Sequence, residues 1–335
     1  MKTEDSRYPI KQNGKYGYIN NKGEISIEAK FEYAEEFIGE LALISIGDKV
    51  AFIDKQGDII SKVEYDDVYE YSEGYTVIEL GNKKGYVDEK ANLVIEAKYD
   101  EAYGFSEDLA AVKIDYKWGY IDKEGKFIIE PEFLYVSDFR DGIALVQCGG
   151  KLGYIDKQGK IIIEPQYDYA SNFSEGLAAV QIKNKYGYID KTGEIVIAPK
   201  YYTANDFSEG LAAVEIDEKY GYIDKSGEII VPIKYDWADD FYKGYAAIAI
   251  GEKYGFINNK GEELVEVKFD NVDTISDGLI SVELNGKWGY VDNHSKFVIE
   301  PIFDEVGIFI DGIAKVVFEN RIRYINKNGE YVWKI

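Results

Sequence analysis

The chain carries one cysteine, one histidine and one methionine. A lone cysteine forms no internal disulfide, and one cysteine with one histidine cannot supply the nitrogen and sulfur ligands of a zinc site. Nucleophilic catalysis of the Ser-His or Cys-His kind would have to use His294. That residue falls at the third position of a turn whose equivalents are Lys22, Gln56, Glu124, Gln158, Thr192, Ser226 and Asn328. A catalytic base is held by fixed partners, whereas so permissive a position reads as a solvated turn. Cys148 shares its register with Ile46, Leu80, Ile114, Ile182, Ile216, Ile250 and Leu284, and so reads as a small core hydrophobe.

Basic residues are also scarce, 39 against 62 acids, for a formal net charge of -23. Such a surface repels phosphate backbones and anionic membranes, which excludes nucleic acid and favours a protein partner with a basic surface. No apolar run is long enough to span a bilayer as a helix, and residues 1–7 lack the basic and apolar regions of a signal peptide. A cytoplasmic protein is expected, or a secreted one if a leader has been removed. Glycine-rich phosphate loops, EF-hand loops and the nonapeptide of calcium-binding β-helices are missing too, so no cofactor or metal is expected.

What the chain does have is a lattice. Gly17, Gly85, Gly119, Gly153, Gly187, Gly221, Gly255 and Gly289 are spaced by multiples of 34 residues, with Ala51 and Arg323 at the two exceptions. Helical tetratricopeptide repeats share that period, but the content is β-prone. After each lattice position comes an aromatic residue, from Tyr18 to Tyr324, then an aliphatic one, then Asx. Adjacent strand residues point to opposite faces, so this strand is covered on both sides. A turn of the Asp122–Gly125 type follows, with Ala91 and Ser295 replacing its glycine in two units; those hairpins are expected to be strained or built differently. Each unit then continues through an apolar strand such as 160–163, a connection plugged by residues such as Tyr167, Ala170 and Phe173, and a strand such as 177–182.

The strings Lys117-Trp118-Gly119-Tyr120-Ile121-Asp122, Lys287-Trp288-Gly289-Tyr290-Val291-Asp292 and Phe173-Ser174-Glu175-Gly176-Leu177-Ala178-Ala179-Val180 resemble the WG, or KWG, repeat of bacterial proteins. The resemblance covers essentially the whole chain. It implies an all-β repeat protein without established catalytic residues that binds or scaffolds. The motif tryptophan survives only as Trp118 and Trp288.

The fold class expected is therefore all-β, a single domain over 1–335 of about ten 34-residue modules of three antiparallel strands. It would run from a partial first strand at 7–12 to a terminal hairpin at 321–335. Pro9 and the charges around it suit a free edge, which favours an open superhelical or solenoid-like array over the alternative, a closed propeller-like ring. Acids recur at equivalent turn positions such as Asp122, Asp156, Asp190 and Asp224, where capping explains them, and no unique catalytic pair stands out. The reading is thus a non-enzymatic protein-binding scaffold. Carbohydrate or cell-envelope binding through aromatics is the alternative, and a glycoside hydrolase is less favoured. Tyrosine is abundant, with 30 copies, most at fixed core registers. The variable residues before the glycine, Tyr16, Trp118, Leu152, Tyr186, Tyr220, Tyr254 and Trp288, are the expected contact stripe, because Lys84 and Trp118 at equivalent sites suggest partial exposure.

Overall fold

Each sheet is a short antiparallel meander, and where the lattice residue is glycine its strand is paired on both sides. In the computed structural model, which describes residues 6–61 and 65–333, ten antiparallel sheets of three or four strands follow one another and no helix occurs among the described residues. The chain divides into two compact units, residues 1–37 with 215–224 and 228–335, and residues 38–214 with 225–227.

One sheet shows the construction. A lead strand, Tyr135–Val136, pairs with Ile143–Cys148, which pairs with the glycine strand Lys151–Asp156, which pairs with Ile161–Tyr167. The lead strand is the fourth element, in the segment expected to be a plugged connection. The turn between the last two strands is capped as expected: Gln158 and Lys160 donate their backbone N–H groups to Asp156 Oδ1 at 3.0 and 2.9 Å. Ala91 and Ser295 take the left-handed conformation, φ 58° and 59°, and keep the same turn bonds. Those two hairpins are built like the rest, at the cost of a strained residue.

The lattice glycine is required by the strand that follows it. A Cβ on Gly187 would lie 2.4 Å from the carbonyl oxygen of Ile197 and 2.7 Å from the nitrogen of Pro199, where the following strand bulges between its pairings with Tyr188 and Tyr186. Where the lattice has Ala51, Ile53 still bridges to Ile59 and Val50 to Tyr65 on either side of residues 62–64, which lie outside the described ones. Where it has Arg323, the following strand is Tyr331–Trp333, and the last two residues of the terminal hairpin lie outside the described ones.

Neighbouring sheets are joined by the aromatic residue after the glycine. Within the second unit, Tyr86, Tyr120, Tyr154 and Tyr188 pack on Phe105, Phe139, Phe173 and Phe207 of the next sheet, with ring centroids 4.7–5.0 Å apart. Each hydroxyl also donates to a lead-segment carbonyl of that sheet, at 2.7–2.8 Å. The acid of the Ser-Glu-Gly turn adds a second joint. Glu175 accepts from the Gly210 N–H at 3.0 Å and from Lys225 Nζ at 3.1 Å, and Ser174 Oγ donates to the Phe207 carbonyl at 2.6 Å. Glu107 repeats the first two contacts with Gly142 and Lys157, and Ser106 repeats the third with Phe139.

The first unit contains the same joints between the two ends of the chain. Tyr324 Oη donates to the Pro9 carbonyl at 2.6 Å, its ring lies 5.6 Å from Tyr8, and Tyr8, Ile10, Ile19, Ile313 and Tyr324 form one buried cluster. A Cβ on Gly23, at φ +79°, would collide with the Val332 carbonyl oxygen, in the register where one on Gly329, within the series, would meet the Ile299 side chain at 3.4 Å. The expected open array with free ends is therefore corrected: the first sheet packs on the last, the contact of the closed, propeller-like alternative. Pro9 does lie on a strand at a sheet margin, but Arg7–Gln12 is largely buried. Cys148 is also corrected. It ends its strand opposite Lys151 and is exposed, as are Leu80 and Ile250 in the same register.

Gly187→Val is expected to cost about 1–3 kcal/mol or more, because the obstruction is backbone that cannot rotate away. An unchanged denaturant midpoint would contradict this. Burial pushes the Glu175 carboxyl up, but Lys225 and the Gly210 amide outweigh it and leave the group below its ordinary value of 4.5. A depressed acid stabilises the fold above its unfolded value and loses that contribution as pH falls through the folded value. Glu175→Gln should lower the unfolding free energy at neutral pH by at most about 1 kcal/mol given its exposure, and with it the melting temperature, and the gap to wild type should close below pH 4.5. A gap that persists in acid would refute the charge-based role.

Candidate functional site

The residues before the glycine do not form the outermost surface. Trp118 is 7% exposed and Lys84 8%, so the partial exposure expected of those two is corrected, while Tyr16, Leu152, Tyr186, Tyr220, Tyr254 and Trp288 are half-buried. Lys84 is tolerated inside because Glu79 Oε2 accepts from its ammonium at 2.5 Å and the ring of Tyr69 lies 3.4 Å beneath it. Trp118 stacks on Tyr103, with centroids 4.7 Å apart and planes at 30°.

Rings of the lead segments do reach solvent. In the second unit Tyr69, Tyr103, Tyr135 and Tyr169 are 39–45% exposed, and Tyr169 packs edge-on to Tyr186 at 5.3 Å. Burial is the main cause raising the hydroxyl pKa of Tyr103, with Tyr135 next; for Tyr169 it is burial, then Tyr186, Asp206 and Tyr135. Each of these exposed tyrosines offers a broad face with a polar tip. Within the first unit the same pairing recurs as Tyr16 with Tyr33, at 5.4 Å, and Tyr254 with Trp237, at 6.0 Å.

Nine stretches, residues 16–49, 51–83, 85–118, 118–151, 153–186, 186–220, 220–254, 254–288 and 288–321, match the WG containing repeat. The chain belongs to the WG-containing repeat family. No curated protein matches it. Among solved structures it is similar to a crystal structure of a eukaryotic initiation factor, at 12% identity over 97% of this chain and 99% of that one, with a TM-score of 0.59. It is also similar to BamB from Moraxella catarrhalis (11% identity, 76% and 94% covered, TM-score 0.43) and to AztD from Citrobacter koseri (12%, 97% and 98%, 0.39). At these identities the likeness to the initiation factor is one of fold, and it extends along nearly all of both chains.

The WG-repeat lattice also accounts for the residues with the fewest alternatives. His294 is exposed in its turn, donating its N–H to Asp292 Oδ1 at 2.9 Å. No group of three or more His, Cys, Asp or Glu side chains is arranged to hold a metal among the described residues. Sequence reasoning assigned nothing to the acids of the lead segments. Glu70, Asp138 and Asp206 of the second unit share one register, and Asp138 is half-buried. Its carboxyl pKa is raised, first by burial and then by Glu70, with Arg140 opposing. The register was visible as a lattice position, but its burial depends on contacts between sheets.

A raised acid binds its proton more tightly in the folded chain, so it destabilises the fold above its folded value and ceases to do so as pH falls through that value. Asp138→Asn is therefore expected to raise the melting temperature at neutral pH, with the advantage vanishing in acid. A variant less stable than wild type at neutral pH would show that the ionised carboxylate is needed.

Proposed function

We propose that this chain is a non-enzymatic binding scaffold whose partner is another protein, engaged by the aromatic surface of the second unit. The observation that carries this reading is the set of exposed lead-segment tyrosines, Tyr103, Tyr135 and Tyr169, of which Tyr103 is backed by Trp118 and Tyr169 by Tyr186. Tyrosine and tryptophan dominate interface energetics because they bury large area with few rotors to freeze. A backing ring that cannot move lowers that ordering cost further. The net charge of -23 favours a partner with a basic surface and fast, salt-sensitive association. The repeated turn acids are occupied in capping and in joints between sheets, as Asp156 and Glu175 are, and so are not themselves set apart for hydrolysis.

The test uses the purified full chain as bait and a captured partner that is then purified for titration. Tyr135→Ala and Tyr169→Ala should each weaken binding roughly tenfold, with His294→Ala unchanged and affinity falling as salt rises. Wild-type affinity in both tyrosine variants would discard the surface. Retained oligosaccharide binding with no protein captured would select the carbohydrate alternative.

A further inference from the structure

Two junctions between sheets depart from the lattice at every joint described above: one in the second unit, where Phe52, Tyr71, Ile38, Gly39 and Glu89 hold the corresponding registers, and another that opens a cleft. The latter lies within the first unit, between the sheet of Tyr245–Phe269 and the sheet that begins at Asn271–Ser276. Phe256 replaces the tyrosine whose hydroxyl would cross to the next sheet, and Ile275 replaces the phenylalanine that would receive its ring. Tyr242 stands in the register of Ser106 and Ser174, Lys243 in that of Glu107 and Glu175, and Asn293 in that of Lys157 and Lys225. With the ring, serine and acid joints replaced, a cleft of about 200 Å³ opens between the two sheets.

The walls of that cleft are Trp237, Tyr245, Tyr254 and Phe256, and its carboxylates are Asp239, Asp240 and Asp273. Aromatic faces carry negative quadrupole density and attract a cation, and carboxylates add to the same preference. Lys243 is the one cation in the lining, and its ammonium lies 4.9 Å from the ring centre of Tyr242 at the cleft. Three carboxylates against one ammonium leave the cleft net negative. The volume lies below the roughly 300–1,000 Å³ of sites that enclose drug-sized ligands, and so suits one side chain.

We infer that this cleft binds the ammonium head of a lysine side chain presented by the partner, between the rings of Trp237 and Tyr254 and the three aspartates. The fold already seats one such group: Lys84 of the second unit is buried over Tyr69 with its charge on Glu79. The inference rests on the protein-binding reading and supplies the chemistry of one contact residue, at a site separate from the tyrosines of the second unit.

The probes are Nα-acetyl-lysine methylamide and its neutral Nε-acetylated counterpart, titrated into the full chain by NMR. The charged probe should bind in roughly the millimolar range or tighter, the neutral one roughly tenfold more weakly. Trp237→Ala, at a residue 41% exposed, should lose binding by a similar factor without changing the melting temperature. Lys243→Ala should tighten it, because the competing ammonium is removed. Equal binding of the two probes, no binding of the charged one, or indifference to both substitutions would overturn the assignment. These outcomes leave the scaffold reading intact, since it stands or falls on Tyr135 and Tyr169.

Discussion

A sheet of three or four short strands cannot bury either of its faces, so the joint between consecutive sheets is the contact on which this structure depends. The glycine strand serves that joint from both sides. Its tyrosine crosses forward to a phenylalanine ring and a carbonyl, as Tyr154 does to Phe173 and Ser171. Its aliphatic neighbour, Ile155, is buried on the opposite face with the preceding sheet's Tyr120 and Ile129. The hydroxyl bond matters because the carbonyl it meets would otherwise be buried without a donor, an omission that costs more than the bond itself contributes. One residue type therefore supplies ring packing, polar satisfaction and register, and the abundance of tyrosine follows from the architecture before any function is considered.

The same joint explains how the chain ends. A terminal sheet in an open array would leave one apolar face to solvent, and repeat proteins with free ends need atypical polar caps. Here the two terminal faces meet each other through Tyr324, Tyr8 and Ile10. Pro9 lacks the N–H that an unpaired margin would expose, and its carbonyl accepts the Tyr324 hydroxyl. Its presence in that strand is compatible with a free edge and equally with a covered one, because both require only that no further strand pairs there.

That ambiguity marks where the sequence stops being legible. Period, strand content, turn chemistry and the identity of the central strand were all readable, because each is set by residues within a single unit. Closure was not, since a perfect repeat is indifferent to whether its last copy meets its first. Cys148 was misread for a related reason: apolar residues recur in its register, yet the register lies at a hairpin end where Leu80 and Ile250 are exposed too. Lys84 misled in the other direction. A lysine in a register suggests exposure, but Tyr69 and Glu79 supply in the interior what water would supply outside. In each case the deciding partner lies on another strand or sheet, beyond the reach of spacing alone.

Deviation from the lattice is consequently more informative about binding than the lattice itself. Residues that repeat are held by the requirement that sheets join, and many copies of a contact that serves packing offer nothing specific to a partner. A unit that abandons the joint must place other side chains there. At the junction of Lys243 and Asn293 the replacements form a concave, acidic and aromatic surface and do not close the gap with hydrophobes. An acid-to-lysine change in one sheet paired with a lysine-to-asparagine change in the next removes a stabilising ion pair without burying a like charge against another. The two changes are physically consistent with one another, and the cleft they leave differs from its surroundings in shape as well as in charge.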